Sequence, residues 1–244
     1  QAGQEWGQPP MRPDMLADMA YQPFREMVRA ALRHAGGIRI DHILGLFRLW
    51  WVPAGLGPCM GTYIRYDHEA MVGILALEAY RAGALVVGED LGTVEPWVRT
   101  YLRERGIMGT SVLWFENGED GHPLAPEQWR EYAMSSVTTH DLPPTTGYLA
   151  GDHVEVRNEL GLLTESLEHE RAEAARQTET WIGILRARGV LEGDDPSEEE
   201  IVLAMHRMLT QTPAKVLNVT LTDAVGDRRT QNLPGTTNEY PNWR

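Results

Sequence analysis

Three short stretches of this 244-residue chain end in acids placed where they could act on a bound substrate. Gly37-Ile38-Arg39-Ile40-Asp41-His42 reads as a strand over 38–40 that closes in a carboxylate. Alternate residues of a strand share a face, so Arg39 lies beside Asp41 and holds that acid ionised by direct charge attraction. An ionised carboxylate at a strand end is either half of a structural ion pair or a nucleophile, and these six residues alone fit both. Ala84-Leu85-Val86-Val87-Gly88-Glu89-Asp90 is a second apolar run ending in acids, and Met134 to Asp141 is a third. Glu89 follows an apolar run, where partial desolvation favours a protonated acid able to donate to a leaving oxygen. Asp41, Glu89 and Asp141 are spaced about fifty residues apart, room for one or two strand-plus-helix units each. In a parallel β/α barrel the carboxyl ends of the strands carry the chemistry, and the three acids would then converge.

The intervening segments read as the scaffold such a barrel needs. Residues 1–20 are rich in Pro and Gly and read as a loop. Pro23 to His34 is a helix stopped by Gly36-Gly37, and it delivers the chain to the Arg39–Asp41 strand. Leu49 to Gly61, with Trp50 and Trp51, reads as an irregular loop of the kind that binds substrate, although adjacent tryptophans face opposite ways and one of them belongs to the core. Asp67 caps a helix over 68–82 that Gly83 ends, and Leu85 to Val87 is a buried strand. A helix over 95–105, a strand over 111–115, a short strand near 136 and a final strand over 215–221 follow. Between them, residues 151–211 turn to Glu, Arg, Leu and Ala and form a helical insertion, with an Asp195 cap and Pro196 at the start of its last helix. The count is about five strands where a closed barrel has eight.

Composition excludes several classes. A net charge of −13 argues against nucleic acid or an anionic membrane surface as partner, and suits a neutral substrate. Apolar runs stop well short of the ~18 residues a membrane helix needs, and the start is no signal peptide, which points to the cytoplasm. One cysteine, Cys59, allows no disulfide framework or thiolate cluster. His34, His68, His122, His153 and His206 are scattered without metal-ligand spacing and read as surface, so no metal is expected. Gly88 to Gly92 lacks the three-glycine spacing of a dinucleotide loop and puts two acids where a pyrophosphate would sit; no cofactor is expected. No pattern specifies an oligomeric state.

The motifs in their order resemble one family. Gly3-Gln4-Glu5-Trp6-Gly7-Gln8-Pro9-Pro10, Arg39-Ile40-Asp41-His42, Gly88-Glu89-Asp90-Leu91-Gly92, Thr139-His140-Asp141-Leu142-Pro143, and Asn232-Leu233-Pro234-Gly235-Thr236 with Pro241-Asn242-Trp243-Arg244 are similar to the successive motifs of the amylomaltases, the 4-alpha-glucanotransferases also called disproportionating enzymes. The resemblance covers nearly the whole chain and implies a (β/α)8 TIM-barrel fold, of which this chain reads as a carboxy-terminal portion. It implies Asp41 as nucleophile, Glu89 as general acid/base and Asp141 as transition-state stabiliser. Arg39, His42, His140 and Asn232 are implied at the sugar site and Trp6 over the acceptor side. The implied partners are maltooligosaccharides or other alpha-1,4-glucans. A hydrolase of the same clan and a non-catalytic glucan-binding fragment are the competing expectations.

Overall fold

The computed structural model describes residues 8–244, so Trp6 lies outside the described residues. Two compact units divide between Thr110 and Ser111.

The first unit opens with α1 (Pro13–Asp18) and α2 (Gln22–Leu32). The expected loop over 1–20 therefore contains a turn and a half of helix, started by Pro13 and held by buried Leu16. β1 (Gly37–Ile40) follows, then β2 (Arg48–Trp51) and β3 (Thr62–Arg65). These last two form an antiparallel hairpin with Trp50 opposite Tyr63, where an irregular loop was expected. Each strand is only four residues long and the Gly- and Pro-rich connection outweighs them, which hides the alternation. Trp51 packs on the core, while Trp50 donates its indole N–H to the Pro58 carbonyl at 2.9 Å and meets Tyr63 edge-on.

α3 (His68–Ala82) is capped as the sequence requires: Asp67 accepts the Ala70 N–H at 3.0 Å, and Gly83 takes a left-handed φ of 62° at the other end. β4 (Leu85–Gly88), α4 (Pro96–Glu104) and β5 (Ile107–Val112) complete the unit, the division falling within β5. β5 begins four residues earlier than expected, because Gly106 at φ 75° ends α4 and returns the chain to the sheet at once. β1, β4 and β5 pair in parallel, with Ile40 beside Gly88 and Val86 beside Ile107. Their core joins Phe24, Val28, Ile43, Val72, Leu75, Val98 and Leu102.

Glu78 is the one buried acid of α3, and two-pronged hydrogen bonds from Arg29 at 2.7 and 2.9 Å tie it to α2. Arg29 holds its carboxyl below the usual range. Its stabilisation is therefore complete above the unfolded carboxylate value of about 4.3 and lost as pH falls through the lower folded one. Thermal unfolding of Glu78→Gln should show a stability deficit at pH 7 that shrinks steadily below about pH 4; a deficit independent of pH would contradict this.

In the second unit β6 (Ala133–Ser136) pairs in parallel with β7 (Val216–Asn218), and four helices intervene: α5 (Thr145–Leu149), α6 (Asp152–Glu159), α7 (Leu167–Ala187) and α8 (Glu198–Leu209). Trp181, Leu185, Met205, Met208 and Leu209 form its core with Leu113 and Val137. The cap of α8 is Ser197 in a reciprocal box with Glu200, two residues beyond the expected Asp195. The final strand stops at Asn218, short of the expected limit at 221, and Thr220 caps a further helix, α9 (Leu221–Val225). His68, His153 and His206 are half-buried, where surface was expected. His68 packs in the Phe47–Trp97–Tyr101 ring cluster, and His153 stacks on Tyr148 at 4.8 Å. Burial pushes the His153 imidazole below its usual range and the Tyr148 phenol up to about 12.

Candidate active site

In the first unit the sheet register delivers two acids side by side. Ile40 and Gly88 are paired, so Asp41 and Glu89 are the next residues off the carboxyl ends of adjacent parallel strands. Adjacent strands lie about 4.8 Å apart, the scale of the 5–5.5 Å carboxyl separation that retaining glycosyl chemistry uses. The Arg39 guanidinium donates to Asp41 Oδ1 at 2.6 Å, the same-face pairing that the alternation requires.

Glu89 is held at four points, three of them on the chain around Asp41. Its N–H donates to the Ile40 carbonyl at 2.8 Å and its carbonyl accepts from Ile43 N–H at 3.0 Å. Its carboxyl accepts the His42 N–H on Oε2 at 2.9 Å and the Leu91 N–H on Oε1 at 2.7 Å. His42 can aim its amide there because it adopts φ 46°, a left-handed conformation that a non-glycine residue rarely holds. His42 thus contributes its backbone amide to the Glu89 carboxyl, a role the motif did not announce. Two accepted hydrogen bonds still leave a carboxylic acid one O–H to donate.

The neighbouring acid is accounted for differently. Asp90 is buried; its carboxylate accepts the Thr110 N–H at 2.9 Å and lies 3.3 Å from Arg99 Nε. It ties β4 to β5, while Glu89 is half-buried.

Gly88 makes this arrangement feasible. A Cβ there would fall 2.4 Å from Ile43 Cδ1 and 3.0 Å from its Cγ2, and Ile43 is completely buried. Gly88→Ala should cost about 1–3 kcal/mol by overpacking and displace the His42 amide from Glu89. Denaturant unfolding reads the first effect, and unchanged stability would show that the turn has room to yield.

In the second unit, His140 and Asp141 stand just beyond β6, and the closing segment wraps onto them. Asn232 donates its side-chain amide to Asp141 Oδ1 at 2.6 Å and its N–H to the His140 carbonyl at 3.1 Å. His140 Nε2 lies 3.3 Å from Asp141 Oδ2. Trp243 faces the His140 ring with centroids 5.4 Å apart and is itself anchored by its N–H to the Gln231 carbonyl. Asn242 accepts the Leu233 N–H and donates to Thr236, which closes the segment on itself. The structure therefore gathers Asp141, His140 and Asn232, and adds Trp243, whose Pro-Asn-Trp setting was the only sequence signal for it. Cys59, the sole cysteine, is exposed beside the hairpin.

Parallel strands joined by helices, with acids at the carboxyl ends of neighbouring strands, define part of a (β/α) barrel of the kind that works on its ligand at those ends. The family model described as 4-alpha-glucanotransferase matches residues 1–244, and the chain belongs to that family. It is 64% identical over 249 residues to the 4-alpha-glucanotransferase of Mycobacterium tuberculosis strain H37Rv and 33% identical to that of Haemophilus influenzae. These alignments take in 100% and 99% of this chain but 34% and 36% of the relatives, so the chain spans about a third of their length. The crystal structure of amylomaltase from Corynebacterium glutamicum superposes with a TM-score of 0.92 at 48% identity, over 100% of this chain and 36% of that one. Amylomaltase from Streptococcus agalactiae, solved in complex with acarbose, shares the fold at a TM-score of 0.70 and 17% identity, over 98% of this chain and 43% of that one. Among the described residues, no helix is long and apolar enough to cross a membrane.

Proposed function

We propose that this chain carries the reacting carboxylates of a cytoplasmic 4-alpha-glucanotransferase, which moves an alpha-1,4-glucan segment from a donor maltooligosaccharide to an acceptor sugar. Residues 1–244 then form part of its catalytic barrel, with 151–211 as a helical insertion. The reaction is a double displacement with retention. Asp41 attacks the anomeric carbon while Glu89 gives its proton to the departing glycosidic oxygen. The acceptor hydroxyl then attacks the glycosyl ester, Glu89 takes the hydroxyl proton, and Asp41 leaves as a carboxylate. Arg39, bonded to Asp41 Oδ1, orients it for the first step. Asp141, gripped by Asn232 and His140, is the stabiliser that holds sugar hydroxyls in the distorted ring. His42 lines the sugar site.

The observation that carries this reading is the in-register pair of Asp41 and Glu89, with the amide next to Asp41 bonded to the Glu89 carboxyl. Incubating the full-length protein with maltotriose and chromatographing the products tests it. Both longer and shorter oligomers are expected. Only shorter sugars would indicate a hydrolase, and unchanged maltotriose a binding protein.

A further inference from the structure

The second unit contains a buried acid that the reaction above does not use. Asp223 sits on α9, its side chain wholly enclosed. Both its oxygens accept from one residue: Oδ1 from the Thr145 N–H at 2.8 Å and Oδ2 from the Thr145 hydroxyl at 2.7 Å. Thr145 is the first residue of α5, and the residue before it is Pro144, which has no side-chain group to cap the helix. Asp223 therefore caps α5 from 78 positions away in the chain. His206 Nε2 lies 3.5 Å from Asp223 Oδ2, its Nδ1 held at 2.9 Å by the Val202 carbonyl.

The two segments joined by this contact are the two that supply the second unit's site residues. Thr145 ends the run His140-Asp141-Leu142-Pro143-Pro144, and Asp223 precedes the run that reaches Asn232. The first run has little freedom. Two successive prolines fix φ, and the Thr138 hydroxyl donates to the Pro143 carbonyl at 2.8 Å. A displacement of Thr145 is thus transmitted to Asp141 rather than absorbed. The second run is pressed against α5 between the two anchor points: a Cβ on Gly147 would fall 2.4 Å from the Arg228 carbonyl oxygen. Arg228 also pairs with Asp152 at 2.7 Å. The segments are consequently joined twice, at Asp223–Thr145 and at Asn232–Asp141, and the first junction sets the register of the second.

We propose that Asp223, acting through Thr145, is a positioning residue that fixes Asp141 against Asn232 for glucan transfer. This rests on the function proposed above. Asp223→Ala strands a buried N–H and hydroxyl and could prevent folding, so the informative changes are at Thr145, in the full-length protein. Thr145→Val removes one of the two hydrogen bonds at nearly constant volume, and Thr145→Ser keeps both. With maltotriose as donor and acceptor, Thr145→Val should lower kcat roughly ten- to a hundredfold, the scale of a displaced catalytic geometry. KM should change by less than about threefold, because the sugar contacts themselves remain, and Thr145→Ser should restore kcat. A Thr145→Val protein that melts lower yet keeps wild-type kcat would overturn the proposal, as would failure of Thr145→Ser to rescue. Absence of transfer by the wild-type protein would instead strike the proposed function, so the two failures are separate.

Discussion

Asp41→Asn should lower glucan transfer by four to six orders of magnitude, about 5–8 kcal/mol of lost transition-state stabilisation, while the melting temperature changes little. The amide is isosteric but a poor nucleophile, so no ester can form on it and the double displacement stops at its first bond. Stability is expected to survive because Asp41 is an exposed residue at a strand end, and its Arg39 partner is itself partly solvated. Exposed ion pairs contribute about 0–1 kcal/mol. Initial rates with maltotriose, measured beside thermal unfolding, separate the two effects. A variant with near-normal turnover would remove Asp41 from the mechanism.

Glu89→Gln should lower transfer from maltooligosaccharides about 10²–10⁴-fold, the usual range for a positioned proton donor. The loss is expected to depend on the leaving group. A glycosyl fluoride departs as fluoride without protonation, so the first step should be nearly spared, and the second step should stall because no base deprotonates the acceptor. The amide side chain of this variant could still accept the His42 and Leu91 N–H groups through its carbonyl, one at a time, which keeps the turn after β1 in place. A first-turnover release of fluoride slowed as much as transfer from maltooligosaccharides would place the role of Glu89 in holding that turn rather than in moving the proton.

What could be read from the sequence was local. Asp67 and Gly83 act on their own neighbours, so the limits of α3 were legible, and alternation alone put Arg39 beside Asp41. Asp41 and Glu89 were legible as a pair of strand-end acids, because parallel strands in succession put such residues at the same end of a sheet. The residues alone did not choose between Glu89 and Asp90, and the resemblance named Glu89; the fold adds that Arg99 and the Thr110 amide hold Asp90, contacts that nothing in the motif announces. The short hairpin of β2 and β3 was obscured by its own Gly- and Pro-rich connection. α9 was missed because Val216 to Leu221 keeps a strand-like composition through the Thr220 cap. Contacts between distant positions left no trace at all. Asn232 meets Asp141 across 91 residues and Asp223 meets Thr145 across 78, and both depend on where the closing segment returns. The resemblance to a known family supplied Asn232 as a residue, but the partner it holds is a property of the fold.

The glycosyl ester proposed on Asp41 can be trapped. The full-length Glu89→Gln protein, mixed with alpha-maltosyl fluoride, quenched in acid and digested with pepsin, should yield the peptide containing Asp41 with one maltosyl group attached, as fluoride is released. Fluoride release without an adduct, or a maltosyl group on any other residue, would contradict the account.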